Sequence, residues 1–177
     1  LSLPHLGSRL VQLGLDGLDL LPLTCHGRLA GARGGFGARQ RSLALQQPLA
    51  RDLRLITSAL KISNDLERVG DHAVNIAGCT NVLAGKEPVK PLADLPTLAE
   101  KSLAMLRDAL DAFVRADAEA ARRLVRRDDE VDELNRQVFA ELLRRMVTDP
   151  LQVERSMTLV LVSRNLERIG DLATNIA

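Results

Sequence analysis

The sequence predicts an all-α protein, built as two tandem three-helix bundles of which the first is incomplete or irregular. Three observations predict it. Aromatic residues make up only 2% of the 177, with no Trp or Tyr, so Leu, Val, Ile and Ala must build the core. That composition suits helices packed closely on one another better than a sheet sandwich, which favours aromatic and β-branched side chains. Apolar residues recur at alternating steps of three and four, the period of a helix buried along one face. Finally, a fourteen-residue segment occurs twice, one hundred residues apart: Asn64–Ala77 (NDLERVGDHAVNIA) and Arg164–Ala177 (RNLERIGDLATNIA). Nine of the fourteen positions are identical, where chance would give roughly one for average composition. The chain is an internal duplication.

Taken in order, a first helix is predicted over Gly7–Leu20. Thr24–Ser42 (TCHGRLAGARGGFGARQRS) is rich in Gly and Arg, carries no carboxylate and lacks a sustained apolar stripe. Irregular structure is therefore predicted where a complete unit would have its second helix. The third helix carries Leu55, Ala59, Ile62, Leu66, Val69, Ala73 and Ile76 as its seam, with Pro48 near its first turn. Gly85, Pro88, Pro91 and Pro96 then interrupt the chain. The first unit is placed at residues 1–84, a linker at 85–96 and the second unit at 97–177.

The second unit shows all three of its helices. Leu98–Ala116 presents Ala99, Leu103, Leu106, Leu110 and Phe113; Ala118–Val147 presents Leu124, Val131, Leu134, Val138 and Leu142. A turn near Ala116-Asp117 predicts an antiparallel hairpin. The last helix carries Leu159, Val162, Leu166, Ile169, Ala173 and Ile176, and Pro150 with Thr148 or Asp149 supplies its start signal. Duplication predicts six helices in all.

Several function classes are excluded. Twenty-four basic against twenty-three acidic residues leave a net charge of +1, and three Phe make no stacking platform, so nucleic acid is a poor partner. No stretch is long and apolar enough to span a bilayer; Ser156–Ser163 is too short. Cys25 and Cys79 fit neither a C-x-x-C nor a zinc pattern and are expected as reduced, half-buried thiols. No signal peptide is recognisable in a chain that opens on Leu1, and the expected compartment is the cytoplasm. There is no nucleophile–base arrangement, phosphate loop or dinucleotide fingerprint, so an enzyme is not expected.

The residues that carry chemistry are carboxylates. Glu67 and Asp71 stand four apart on one repeat helix, Glu167 and Asp171 on the other, and Asp128 and Asp132 on the helix before the second. Residues at i and i+4 share a helical face, so each pair can grip the same cation or the same partner. With antiparallel packing, Asp128/Asp132 meet Glu167/Asp171, and four uncompensated acids repel strongly unless a multivalent cation joins them. An all-oxygen donor set favours hard ions such as Mg²⁺, Ca²⁺, Mn²⁺ or iron. A glycine lies between the acids of each repeat pair, Gly70 and Gly170. Mid-helix Gly costs about 1 kcal/mol relative to Ala, and its presence in both copies predicts a close approach there. Against the metal stands the plainer alternative of solvated acids paired with their neighbours Arg68 and Arg168. His72 is Leu172 in the second copy, which argues against its being a required ligand, and no E-x-x-H pairing supports a di-iron oxidase.

The duplicated motif, together with QQPLARDLRLITSALKISNDLERVGD (Gln46–Asp71) and RRDDEVDEL (Arg126–Leu134), resembles the PhoU family over Leu43–Ala177. The resemblance implies two tandem three-helix bundles and a cytoplasmic negative regulator of phosphate uptake and phosphate-starvation signalling. Its implied partners are the ATPase subunit of the phosphate ABC transporter and a phosphate-sensing histidine kinase, with a homodimer expected and only peripheral association with the membrane. It also implies metal, iron first with Mg, Mn, Ca or Zn as alternatives, on E/D-x-x-x-D motifs: Asp128, Asp132, Glu167, Asp171, Glu67 and Asp71. The acidic motif expected near Thr24–Ser42 is missing, which makes the second-half set the better candidate. The remaining readings are a metal-free helical scaffold and a carboxylate-bridged metalloenzyme.

Overall fold

The computed structural model describes residues 50–86, 89 and 94–177. The predicted helix at Gly7–Leu20, the irregular stretch Thr24–Ser42, Cys25 and Pro48 lie outside them. Among the described residues the chain is helical, without strands: α1 (Ala50–Leu83), α2 (Asp94–Arg115), α3 (Ala118–Thr148), a single 3₁₀ turn (Pro150–Gln152) and α4 (Val153–Ile176).

Local sequence sets the boundaries. Pro96, expected in the linker, instead sits within the first turn of α2, where its missing N–H would have had no helical partner. At the other end, Ala116 takes a left-handed φ of 53°. Its N–H bonds to Phe113 O at 3.1 Å and the Asp117 N–H to Ala112 O at 2.9 Å, the paired bonds that close a helix C-terminus. Asp117 then caps α3, accepting from Glu119 N and Ala120 N at 3.0 and 2.9 Å. One turn thus ends α2 and starts α3. Asp149 accepts from Leu151 N at 3.0 Å ahead of Pro150, so the predicted start signal caps the 3₁₀ turn that leads into α4.

Helix α4 is the axis of the fold: it packs on α1, α2 and α3, whereas α1 touches only α4 among the described helices. Helices α2, α3 and α4 form the predicted second bundle. The α2–α3 hairpin is antiparallel, tied by the ion pairs Lys101–Glu130 and Arg127–Asp108. Its core holds Leu98, Met105, Leu106, Leu124, Val131, Leu142, Leu166 and Ile169, all essentially without solvent contact. The seams lie where the periodicity put them, except that Leu55 at the start of α1 is exposed, while Ala59, Leu110, Phe113 and Leu134 are only half-buried.

The two copies of the repeated motif face each other. Helix α1 runs antiparallel to α4, with Lys86 Nζ 2.8 Å from Glu154 Oε1 at one end and His72 Nδ1 2.9 Å from Asn165 Oδ1 further along. His72, predicted not to be a ligand, links the repeats instead. Asp65 is buried on the same helix with Oδ2 lacking a hydrogen-bond partner. The position equivalent to His72 in the second copy is Leu172, which has no donor to offer across the contact.

The paired glycines behave differently. A Cβ on Gly170 would lie 3.3 Å from Val131 Cγ1 and 3.6 Å from Asp128 Oδ1, whereas one on Gly70 would meet nothing within 4 Å. Among the described residues, the close approach predicted at both sites is found at Gly170 alone. Gly70→Ala is therefore expected to stabilise the protein by about 0.5–1 kcal/mol, the helix-propensity gain. Gly170→Leu is expected to destabilise it by about 1–3 kcal/mol through overpacking against α3. Urea unfolding of both variants checks the difference.

Candidate metal centre

Close approach of α4 to α3 at Gly170 carries the neighbouring turns of both helices together. Val131 is buried in the core and fixes the rotation of α3, so Asp128 and Asp132, three residues before it and one after, point towards α4. On α4 the same logic holds: buried Leu166, Ile169 and Gly170 leave Glu167 and Asp171 at the edge of the contact. One carboxylate oxygen from each of Asp132, Glu167 and Asp171 lies within 4.8 Å of the others, and all three residues are half-buried. A divalent ion coordinated at about 2.0–2.6 Å fits a triangle of that size.

Asp128 completes the set electrostatically. Its Oδ1 is buried and has no hydrogen-bond partner. Burial is the main cause that pushes its carboxyl above the usual range, followed by the charges of Asp171, Asp132, Asp129 and Glu167. Glu167 is raised too, by burial and then by Asp171, with Arg168 partly offsetting. Four acids whose mutual repulsion and desolvation are incompletely relieved, one of them with an orphaned buried oxygen, fit a hard multivalent cation. Such an ion would be held by Asp132, Glu167 and Asp171, with Asp128 adding charge and a further oxygen.

Arginine is present at the rim. Arg168 Nη1 donates to Asp171 Oδ2 at 3.1 Å, from a half-exposed position. It neutralises one acid, and among the described residues Asp132, Glu167 and Asp128 have no ion-pair partner of their own.

The first-copy acids stand elsewhere. Glu67 and Asp71 are exposed on α1 and join no comparable cluster among the described residues. Among the described helices α1 touches only α4, so nothing described stands opposite them as α3 stands opposite Glu167 and Asp171. A polar cleft beside the α2–α3 turn is lined by Asp108, Asp111, Arg115, Asp117, Arg123 and Arg127. Its acids and bases balance, so it offers no comparable cation site. Sequence reasoning missed Asp65 and Asn165, and the signal was available: they are equivalent positions that differ between the copies. Cys79 is half-buried, as the sequence predicts, and burial is the main cause that pushes its thiol up.

Because the fold raises the pKa of Asp128 and Glu167, ionising them costs the folded protein more than the unfolded chain. In metal-free protein this penalty is absent below the unfolded carboxylate range and grows as pH rises from about 4 towards the raised folded values. Asp128→Asn removes part of it. The variant is expected to be more stable than the parent in EDTA at pH 7, with the difference vanishing near pH 3; urea midpoints at the two pH values check this.

Comparison with known proteins places the chain. The PhoU domain profile matches residues 38–80 and 95–177. A phosphate-specific transport system accessory protein PhoU homolog of Aquifex aeolicus is 41% identical over 155 residues, covering 88% of this chain and 66% of that protein. The homolog of Clostridium acetobutylicum is 40% identical over 137 residues, covering 77% of this chain and 63% of the relative. The chain thus spans somewhat less than two thirds of the length of these curated relatives. The crystal structure of PhoU from Pseudomonas aeruginosa superposes with a TM-score of 0.73 at 30% identity, covering 98% of this chain and 89% of that one. No helix among the described residues is long and apolar enough to cross a membrane. With its duplicated motif, its antiparallel repeat helices and these matches, the chain belongs to the PhoU family.

Proposed function

We propose that this chain is a non-enzymatic accessory regulator of a phosphate transport system, working at the cytoplasmic face of the membrane and repressing phosphate uptake and starvation signalling. The relatives it matches are described as phosphate-specific transport system accessory proteins, and that likeness supports the role. Its proposed partners are the transporter's ATPase subunit and a phosphate-sensing histidine kinase, and its working form a homodimer. Phe139, Leu143 and Val147, exposed at four-residue steps on α3, and Leu151 just beyond offer an apolar surface of the kind docking needs.

The observation that carries the mechanistic part is the convergence of Asp132, Glu167 and Asp171 beside the orphaned Asp128 oxygen. A multivalent cation there, iron or Mn²⁺ by donor chemistry and resemblance, would supply the charge that holds α3 and α4 in one rigid unit. Occupancy would then tune how the bundle docks. Glu67 and Asp71 are a second candidate pair, with no opposing acids among the described residues.

A metal-free scaffold is the competing reading, favoured by the Arg168–Asp171 ion pair, which relieves part of the repulsion without an ion. Elemental analysis separates the two. Glu167→Ala/Asp171→Ala protein, loaded with iron or Mn²⁺ and desalted, is expected to retain at least about tenfold less metal than the parent; equal retention rejects the site. For the role itself, the chain is expected to capture the transporter's ATPase subunit in a pull-down and to restore repression of a phosphate-starvation reporter in cells lacking their own homolog. Failure of both rejects the regulator reading.

A further inference from the structure

The five-residue motif E-R-[VI]-G-D occurs in both repeats, yet its arginine is used differently in each. In the first copy Arg68 turns back to Asp65, Nη1 to Oδ1 at 3.7 Å. In the second copy the residue equivalent to Asp65 is Asn165, which is uncharged and whose Oδ1 is already engaged by His72 at 2.9 Å and by Asn75 Nδ2 at 3.4 Å. With no acid behind it, Arg168 turns forward and donates to Asp171 at 3.1 Å. A single Asp-to-Asn difference three residues upstream thus decides whether the motif's arginine lies over the acidic site. It does so only in the copy whose acids converge.

Resting on the metal-binding reading above, we propose that Arg168 is the resident counter-ion of the acidic site, displaced from Asp171 when a multivalent cation binds and released onto the exposed face of α4. The guanidinium holds one of the three clustered carboxylates. An incoming ion must therefore outcompete a charge-assisted hydrogen bond at that ligand. A monovalent ion brings no more charge than the arginine already supplies, whereas a divalent ion gains from Asp132, Glu167 and Asp128 at once. Arg168 in this way sets the threshold and the valence selectivity of the site. Its release frees a half-exposed cation on α4 for an anionic group of a partner, which links occupancy to surface charge.

Arg164 supplies the control. It is exposed one turn earlier on α4 and its charge is felt at Glu167, but it makes no contact with Asp171. Metal-stripped parent, Arg168→Met and Arg164→Met proteins are titrated with Mn²⁺ by calorimetry at fixed ionic strength. Arg168→Met is expected to bind about fivefold more tightly, the scale of an exposed ion pair, and Arg164→Met less than about twofold more tightly. Thermal melts add a second readout: metal-free Arg168→Met melts lower than the parent, and its Mn²⁺-induced rise in Tm is larger. Equal Mn²⁺ affinity in parent and Arg168→Met, or equal gains in both variants, overturns the counter-ion role while leaving the metal site standing. Mn²⁺ binding by none of the three proteins removes the site and the proposal together.

Discussion

At Gly170 the backbone of α4 comes so near α3 that a single added carbon would press on Val131 and stand beside the Asp128 carboxylate. Two helices that approach this closely lock their mutual rotation, because buried Val131, Leu166 and Ile169 leave each only one face for the core. The edge of that contact is where the acids stand. Glycine at this point costs helix propensity; what it permits is a register in which carboxylates from two helices share one small volume. Move the helices apart by a side chain and the acids become ordinary solvated groups.

Duplication makes the dependence visible within one molecule. Helices α1 and α4 carry nearly the same motif, pack on each other antiparallel and bury equivalent residues, such as Leu66 with Leu166 and Val69 with Ile169. Gly70, however, faces no neighbour among the described residues, and Glu67 and Asp71 are exposed. The motif alone gathers no cluster of acids among the described residues; the motif pressed against a second acidic helix does. Asp65 and Asn165 add a further asymmetry, since the first is buried with an unpartnered oxygen and the second accepts from the opposite repeat.

Much of this was legible in the sequence. Apolar spacing located α2, α3 and α4 and their buried seams, and the antiparallel hairpin followed from the Ala116-Asp117 turn, whose cap bonds are those the residue types favour. The convergence of Asp128/Asp132 with Glu167/Asp171 was legible as well, because periodicity fixed which face each helix presents. Periodicity gives no tertiary neighbours, however. It treated Gly70 and Gly170 alike, although among the described residues only Gly170 has a helix against it. It placed Pro96 in a linker, although a proline in a first turn is compatible with helix. Nor did spacing reveal where Arg168 points, since it takes Asp171 where Arg68 takes Asp65, whose counterpart is the uncharged Asn165.

An ion held between α3 and α4 can be observed directly by crystallography. Crystals of the chain soaked in Mn²⁺ and measured with anomalous scattering should show a peak within coordinating distance of Asp132, Glu167 and Asp171, with the Arg168 guanidinium moved off Asp171. No anomalous density between these carboxylates at millimolar Mn²⁺, with the Arg168–Asp171 pair intact, would contradict such binding.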